Sequence, residues 1–244
     1  MGETEWHRLV CLLLWELATR WVAQRKTRAH VGSNQFVYWV QHEPTRSVAP
    51  DLYVLPGVDV GPEGLDVIKT WELGVPTLAV EVVSTDWRKD YRDGPRRYDE
   101  LGIRELVIFD AKAPRAKQPE RVRWQVFRRV ARRGLVRVEA TNADRIRSKV
   151  LGAWLREVGA GGAVRLRVAS GALGDELVPT AEEERTLERD EAALARDEAT
   201  RARDEATRAR DEAARARDDE RLRRIDAEAD NARLRAELER RRTR

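Results

Sequence analysis

Cysteine, histidine and long apolar runs are scarce in this chain, and each shortage removes a class of protein. The single cysteine, Cys11, cannot form an internal disulfide or supply a cysteine-based zinc site. The three histidines, His7, His30 and His42, lack metal-ligand spacing, so a bound metal would need oxygen ligands. No apolar run approaches the roughly 18–20 residues that cross a bilayer. The sequence therefore predicts a soluble protein that is not exported and stays in the cytoplasm.

Charge, in contrast, is abundant and unevenly distributed. The 244 residues include 47 basic and 43 acidic side chains, a formal net charge of +4. Residues 181–244 alone contain 20 acidic and 18 basic side chains, which leaves 23 acidic and 29 basic ones in residues 1–180. This division predicts a globular domain over 1–175 and a charged helical tail over 176–244. The basic excess of the body is compatible with a polyanionic partner.

The body mixes helical and strand patterns. Apolar residues at helical spacing predict an amphipathic helix over 5–24, with Thr4 as its N-cap. A helical turn over 68–74, a short helix between Asp93 and Gly102, and a helix over 146–158 are also predicted. Apolar or alternating runs predict strands over 36–40, 51–55, 77–83, 105–110, 122–128, 135–139 and 164–168. The order predicts an α/β (α+β) fold with a mixed β-sheet flanked by helices.

The tail carries a seven-residue repeat that begins at Arg189 as RDEAALA and RDEATRA. Alanines recur at alternating spacings of three and four, which predicts a long C-terminal α-helix with a coiled-coil seam. Alanine buries little area, so a solvated single helix acting as a spacer remains the alternative. Larger apolar residues that could bind a second copy or another helix come only near the end, at Leu222, Ile225, Leu234 and Leu238.

Two acidic residues stand in or beside apolar strands. Asp51 begins one predicted strand, and Glu81 lies inside the apolar run 77–83. An ionised carboxylate costs several kcal/mol to bury unless a cation or hydrogen bonds compensate it. Both acids, with the Val82 carbonyl, could hold one Mg²⁺, which prefers oxygen ligands. The alternative is a salt-bridged glutamate at a strand end and an ordinary Pro-Asp turn.

The segments around these acids carry a family resemblance. The runs APDLYV (49–54), LAVEVVS (78–84) and GIREL (102–106), with Asp90, Tyr98 and the pair Phe109 and Asp110, resemble the Uma-two family of restriction-endonuclease-like nucleases. This family belongs to the PD-(D/E)XK superfamily, and the resemblance covers roughly residues 5–175 in consistent order. It implies a restriction-endonuclease-like sheet core and hydrolysis of DNA phosphodiester bonds that depends on Mg²⁺ or Mn²⁺.

The resemblance also implies roles for single residues. Asp51 corresponds to the metal-binding aspartate of the superfamily and Glu81 to its second acid. The two positions where the superfamily or the family places a lysine hold Val83 and Gly94 here. This departure leaves the source of the catalytic cation open.

Nearby cations are candidates to replace the lysine. Lys89 is our first choice for the auxiliary catalytic cation, with Arg97 as a second, and Lys89, Arg96 and Arg97 are expected to contact nucleic acid. Arg96 and Arg97 could equally belong to an ordinary solvated helix face. Trp87, in the adjoining loop, is a candidate for stacking on a base.

Two functions follow from these observations. The first is a metal-dependent endonuclease that cuts DNA and works as a homodimer, because two copies are needed to cut both strands. The second is a catalytically silent, nuclease-like module that binds nucleic acid or protein while its tail provides oligomerisation. A scaffold acting only through its tail is a third option.

Overall fold

The computed structural model describes residues 4–58, 60, 64–84 and 86–242. The chain divides into two compact units, Met1–Thr180 and Ala181–Arg244. The first unit contains every strand, and the second is the helical tail. The mixed α/β class predicted from the sequence is confirmed.

Four α-helices are present in the described chain: α1 Glu5–Gln24, α2 Thr70–Leu73, α3 Gly94–Leu101 and α4 Ala181–Arg242. A π-helical turn, Lys89–Asp93, leads directly into α3. The strands are β1 Ala29–Gly32, β2 Phe36–Tyr38, β3 Ser47–Val48, β4 Leu52–Pro56, β5 Val67–Lys69, β6 Leu78–Val82, β7 Glu105–Phe109, β8 Trp124–Val130, β9 Gly134–Thr141, β10 Arg145–Ser148, β11 Ala153–Val158, β12 Arg165–Ser170 and β13 Glu176–Leu177. Strand β13, which follows the predicted domain boundary at 175, pairs with β12.

Helix α1 forms where the apolar spacing predicts it. The Thr4 side chain accepts a hydrogen bond from the His7 amide at 3.3 Å, which caps the helix as expected. Each of its three tryptophans donates an indole N–H to a backbone carbonyl outside the helix. The donors are Trp6, Trp15 and Trp21, and the acceptors are Val164, Val31 and Leu151. These bonds fix α1 against the body, and so fix its buried face over the main sheet.

The main sheet has the strand order β1-β4-β6-β7-β8-β9. Strands β6 and β7 are parallel, and every other neighbouring pair is antiparallel. Successive residues of β6 enter two different apolar clusters. Leu78, Val80 and Val82 join the cluster that includes α1, while Ala79 joins the cluster that includes α3. By this alternation the side chain of Glu81 belongs on the α3 face of the sheet.

The helix predicted over 146–158 is wrong. This segment forms β10 and β11, the first two strands of the four-stranded antiparallel sheet β10-β11-β12-β13. Ile146 and Ser148 are buried in β10, as are Ala153 and Leu155 in β11, so burial follows a period of two. Gly152 makes the turn between them with a φ of +66°, which favours glycine.

The short helix before Gly102 is confirmed as α3. Pro95 lies in its first turn, and Gly102 ends it with a φ of +93° while donating its amide to the carbonyls of Tyr98 and Asp99. The preceding π-helical turn was not predicted. It adds a residue to the helical turn. Asp90, in this turn, has a hydrogen bond with the backbone of Ser84, which lies just after β6.

The tail is a helix of 62 residues. Its side chains are exposed along nearly the whole length, including Leu222, Ile225, Leu234 and Leu238. The predicted long C-terminal helix is confirmed, and the coiled coil stays a prediction. Within the described part of the chain, we find no helix with the length and apolar character of a membrane span.

Candidate active site

The site is built around the last peptide of β6. The ladder between β4 and β6 has Leu52 opposite Val80, and β4 supplies no backbone partner for Val82. Two side chains provide the hydrogen bonds to the Val82 peptide instead. Asp51, immediately before β4, accepts the Val82 amide N–H at 2.6 Å through Oδ2. Nε2 of His7 lies 2.8 Å from the Val82 carbonyl oxygen, which can only accept, so the ring donates.

His7 also holds Asp51. Its Nε2 lies 3.3 Å from Asp51 Oδ2, and its Nδ1 lies 3.7 Å from the sulfur of Cys11. Burial lowers the pKa of the His7 ring, but hydrogen bonds to Asp51 and Cys11 and the charge of Asp51 outweigh it, so the net pKa is raised. The ligand atoms of these three buried residues lie within 4.8 Å of one another. Cys11 thus contacts one ring nitrogen of His7, and the other ring nitrogen contacts Asp51. Through this arrangement α1 orients the Asp51 carboxylate.

Sequence reasoning dismissed His7 as a scattered histidine. The available signal was its spacing of four residues from Cys11, which places both on one face of α1. Nothing in the sequence indicates that this face lies against the end of β6.

Glu81 reaches the same place from the other face of the sheet. The Tyr98 hydroxyl, from α3, donates a hydrogen bond to Glu81 Oε1. Loss of water raises the pKa of Glu81 well above its usual value, and the charge of Asp51 raises it further, while the bond from Tyr98 opposes both effects. Asp51 and Glu81 are thus neighbours close enough for the charge of one to act on the other.

A third acid, Asp90, comes from the π-helical turn. Desolvation raises the pKa of Asp90 to about 6. The charge of Lys89 opposes this rise, and the charge of Asp51 adds to it. The Ser84 backbone opposes this rise through a hydrogen bond to Asp90. Sequence reasoning used Asp90 only as part of the family motif and gave it no role. The charge of Asp51 thus raises the pKa of both Glu81 and Asp90, a pattern typical of acids that a cation would complete.

The candidate cations differ in position. Lys89 is exposed and close enough to Asp90 for its charge to lower the pKa of that carboxyl. Arg96 is paired with Glu100 at 2.9 Å and is mostly exposed. Arg97 donates to the carbonyls of Thr45 and Ser47, so it ties α3 to the segment that leads into β3.

These three cations share one surface depression. Lys89, Arg96 and Arg97 line it with Trp39 and Arg46, among other residues. The depression is open and polar, which suits contact with a phosphate backbone better than enclosure of a small molecule.

Position 94, where the family resemblance implies a lysine, begins α3. Gly94 has a helical conformation, and a Cβ placed there would meet only the Lys89 carbonyl oxygen, at 3.8 Å. A side chain is therefore accommodated at this position. Position 94 also lies one helical turn before Tyr98, on the face that carries the hydroxyl bonded to Glu81.

Trp87 is not available for stacking on a base. Its side chain is buried, with the guanidinium groups of Arg88 and Arg121 at 4.8 and 5.5 Å from its ring centre. The ring of Tyr91 packs against it edge-on at 5.3 Å. Trp87 thus supports the π-helical turn from beneath, and the sequence-based suggestion for it is wrong.

The donor set suits a hard divalent cation. Asp51, Glu81 and Asp90 carry carboxylate oxygens, the ligand type that Mg²⁺ prefers, although the ligand atoms found within 4.8 Å of one another in the described residues are those of His7, Cys11 and Asp51. Two of these carboxylates have a fixed orientation, Asp51 through Val82 and His7, and Glu81 through Tyr98. Such orientation of ligand atoms favours metal binding.

Comparison with known proteins agrees with the motifs. A family model, Uma2, described as "Putative restriction endonuclease", matches residues 1–159. A solved structure described as a "putative nuclease belonging to DUF820", from Anabaena variabilis ATCC 29413, is 11% identical with a TM-score of 0.42 over 62% of this chain and 76% of that chain. No curated protein matches. Because the family model covers well over half of its length, the chain belongs to the Uma2 family of restriction-endonuclease-like proteins.

Proposed function

We propose that residues 1–175 form a Mg²⁺- or Mn²⁺-dependent endonuclease that hydrolyses phosphodiester bonds in DNA. The observation that carries the proposal is the convergence of Asp51 and Glu81, from the ends of neighbouring strands, with Asp90 beside them. Glu81 and Asp90, whose pKa values burial and the charge of Asp51 raise, fit the perturbed acids that cluster at functional sites. Family membership supports the same reaction class.

Within this proposal, Asp51 and Glu81 hold the metal, and Asp90 supports them through bound water. The Val82 carbonyl stays in the ligand set, because an oxygen that accepts from His7 retains a second lone pair. A metal bound here would polarise the scissile phosphate and lower the pKa of the attacking water. His7 and Tyr98 keep the two principal carboxylates in place.

Lys89 is the proposed auxiliary catalytic cation, because it is the candidate whose charge acts on Asp90. Arg96 and Arg97 are proposed to bind the substrate backbone from the depression that they share with Lys89. Arg97 donates hydrogen bonds to two backbone carbonyls, so its main contribution is to hold α3 against the chain segment that also lines the depression.

A specific observation favours a second candidate function. The helix face that points to Glu81 through Tyr98 carries glycine, where the family places its lysine. A domain that lacks this amine could bind nucleic acid or protein without cutting, while the tail joins copies together.

Nicking of supercoiled plasmid by the full-length protein in Mg²⁺ or Mn²⁺ tests the first function. Asp51→Asn and Glu81→Gln should each reduce the rate roughly 100-fold or more, because each removes a charge that holds the metal. Glu139→Gln is the matched control, since Glu139 is exposed on β9. Equal rates for the two site variants and the control would exclude the proposed site.

Metal titration separates the two functions. A nuclease should bind Mn²⁺ in a calorimeter, with Glu81→Gln abolishing the heat. A silent module should bind no metal, nick no plasmid, and still bind DNA with an affinity that falls steeply with salt.

A further inference from the structure

A cavity of about 840 Å³ lies next to the candidate site, and none of the proposed metal ligands lines it. Its walls come from the segment that follows β7, the residues just before β8, the glycine-rich turn after β11, and Trp6 of α1. Trp6 precedes His7 in the chain, and the segment after β7 continues the strand that runs parallel to β6. Neighbouring strands are about 4.8 Å apart, so the cavity and the acids lie at the same end of the central strands β6 and β7.

The cavity has an excess of positive charge. Four cationic side chains line it, Lys112, Arg115, Arg121 and Arg123, against one acid, Glu157. Two of the cations are neutralised. Arg123 pairs with Glu157 at 2.8 Å, and Arg121 pairs with buried Asp110 at 2.8 Å.

Lys112 and Arg115 are left to act on a ligand. Neither side chain forms an ion pair with another residue in the described part of the chain. Arg115 and Lys112 are both exposed, on a short loop beside the cavity. A ligand that reaches this loop is therefore expected to be anionic.

The interior has room and a flat apolar wall. The indole N–H of Trp6 donates to the Val164 carbonyl at 3.2 Å, which fixes the ring in the wall. Gly161 and Gly162 put no side chain into the space, and a Cβ built on either would meet nothing within 4 Å. The volume lies within the roughly 300–1,000 Å³ of small-molecule sites.

We infer that this cavity binds one nucleotide of the nucleic-acid strand, adjacent to the phosphodiester bond at the acids. Lys112 and Arg115 take its phosphate, and its base lies against Trp6. The identity of the ligand rests on the proposed function, but binding does not require cleavage. The acids and the cavity together would then fix the register of the strand.

Binding without metal tests the inference. A fluorescein-labelled ten-nucleotide single-stranded DNA is titrated with full-length protein in EDTA, and its anisotropy is measured at 50 and 200 mM salt. Lys112→Ala/Arg115→Ala should weaken binding roughly tenfold and reduce the salt slope by about one, because phosphate contacts release counterions. Trp6→Leu should also weaken binding roughly tenfold, whereas Trp6→Phe should largely retain it.

The control removes the same charge elsewhere. Arg132→Ala/Arg133→Ala changes two exposed arginines in the turn between β8 and β9, at the opposite end of β8 from the cavity. An equal loss of affinity in the two double variants would overturn the inference, because net charge alone would then explain the effect. Circular dichroism of each variant confirms that it is folded.

Failure of this inference is distinguishable from failure of the proposed function. If the wild-type protein nicks no plasmid but only the cavity variants lose DNA affinity, the nucleotide site stands and hydrolysis is rejected. If nicking depends on Asp51 while Lys112→Ala/Arg115→Ala binds DNA no worse than its control, the cavity inference alone is rejected.

Discussion

Among single residues, Glu81 and Glu105 illustrate how an acid in an apolar strand can have two meanings. Both follow the same sequence pattern, and both are desolvated or buried. Glu105 receives hydrogen bonds from Ser148 and from the guanidinium of Arg128, the latter at 2.8 Å. Glu81 receives one from a neutral tyrosine and otherwise faces other acids. Among the described residues Glu81 therefore lacks the cationic partner that Glu105 has, and a bound metal would supply that positive charge.

His7 is the residue whose replacement should reveal most about the site. His7→Ala is expected to weaken Mn²⁺ binding about tenfold, since residues that orient metal ligands typically contribute 10–100-fold to affinity. Isothermal titration calorimetry measures this directly, without reference to cleavage. His7→Gln should restore part of the affinity, because its amide can still donate to the Val82 carbonyl.

Cys11→Ser is the matched control for His7. It changes the outer neighbour of the ring and leaves the contacts of His7 with Asp51 and Val82 in place. Metal affinity that is unchanged in His7→Ala, in protein shown to be folded, would mean that His7 has no part in orienting Asp51.

The sequence identifies some of these residues and not others, for physical reasons. Asp51 and Glu81 could be found because an acid beside apolar residues is costly and therefore conspicuous. His7 and Asp90 could not, because their importance depends on which helix and which turn pack against the end of β6. Whether a buried acid has a cationic partner, as Glu105 does, is likewise decided by tertiary contacts.

At the scale of elements, the junction between the π-helical turn and α3 determines whether the site contains an amine. Gly94→Lys should increase the rate of metal-dependent nicking, because it places a lysine on the Tyr98 face with no backbone clash. It should also stabilise the fold by about 0.5–1 kcal/mol, since glycine is a poor helix former. Plasmid nicking and urea unfolding measure the two effects.

Gly94→Ala separates them. Alanine gives a similar or larger gain in helix stability but supplies no amine. If Gly94→Ala raises the nicking rate as much as Gly94→Lys, the added amine has no catalytic part and the gain belongs to the helix.

Element boundaries were predictable where local chemistry fixes them. Thr4 and Gly102 mark the start of α1 and the end of α3 because capping depends on a few adjacent residues. The segment 146–158 was assigned the wrong element because its apolar residues fit a helix and a strand equally well over so short a run. Its pairing with β12 decides the matter, and the spacing of apolar residues within 146–158 carries no information on that pairing.

For the molecule as a whole, the tail is expected to govern association and not folding. Deleting residues 181–244 should leave the urea midpoint of the remaining chain unchanged, because nearly all side chains of α4 are exposed and contribute no core. Loss of cooperative unfolding in the truncated chain would contradict this. Sedimentation velocity should show dimers for the full chain and monomers for the truncated one.

A full-length variant provides the control for truncation. Leu234→Ser/Leu238→Ser replaces two exposed leucines near the end of α4 and keeps the helix length, which is about 93 Å at 1.5 Å per residue. It should also sediment as a monomer if these leucines form the contact. A variant that remains dimeric would move the association surface to another part of the chain.

The peptide of Val82 places a constraint on how such a protein can change over time. Its amide and carbonyl depend on Asp51 and His7 in place of a neighbouring strand. Loss of either side chain would leave a buried backbone group without its hydrogen-bond partner, at a cost of about 1–3 kcal/mol. Loss of metal binding would therefore not by itself release Asp51 from selection, because the Val82 amide would still need its oxygen as an acceptor.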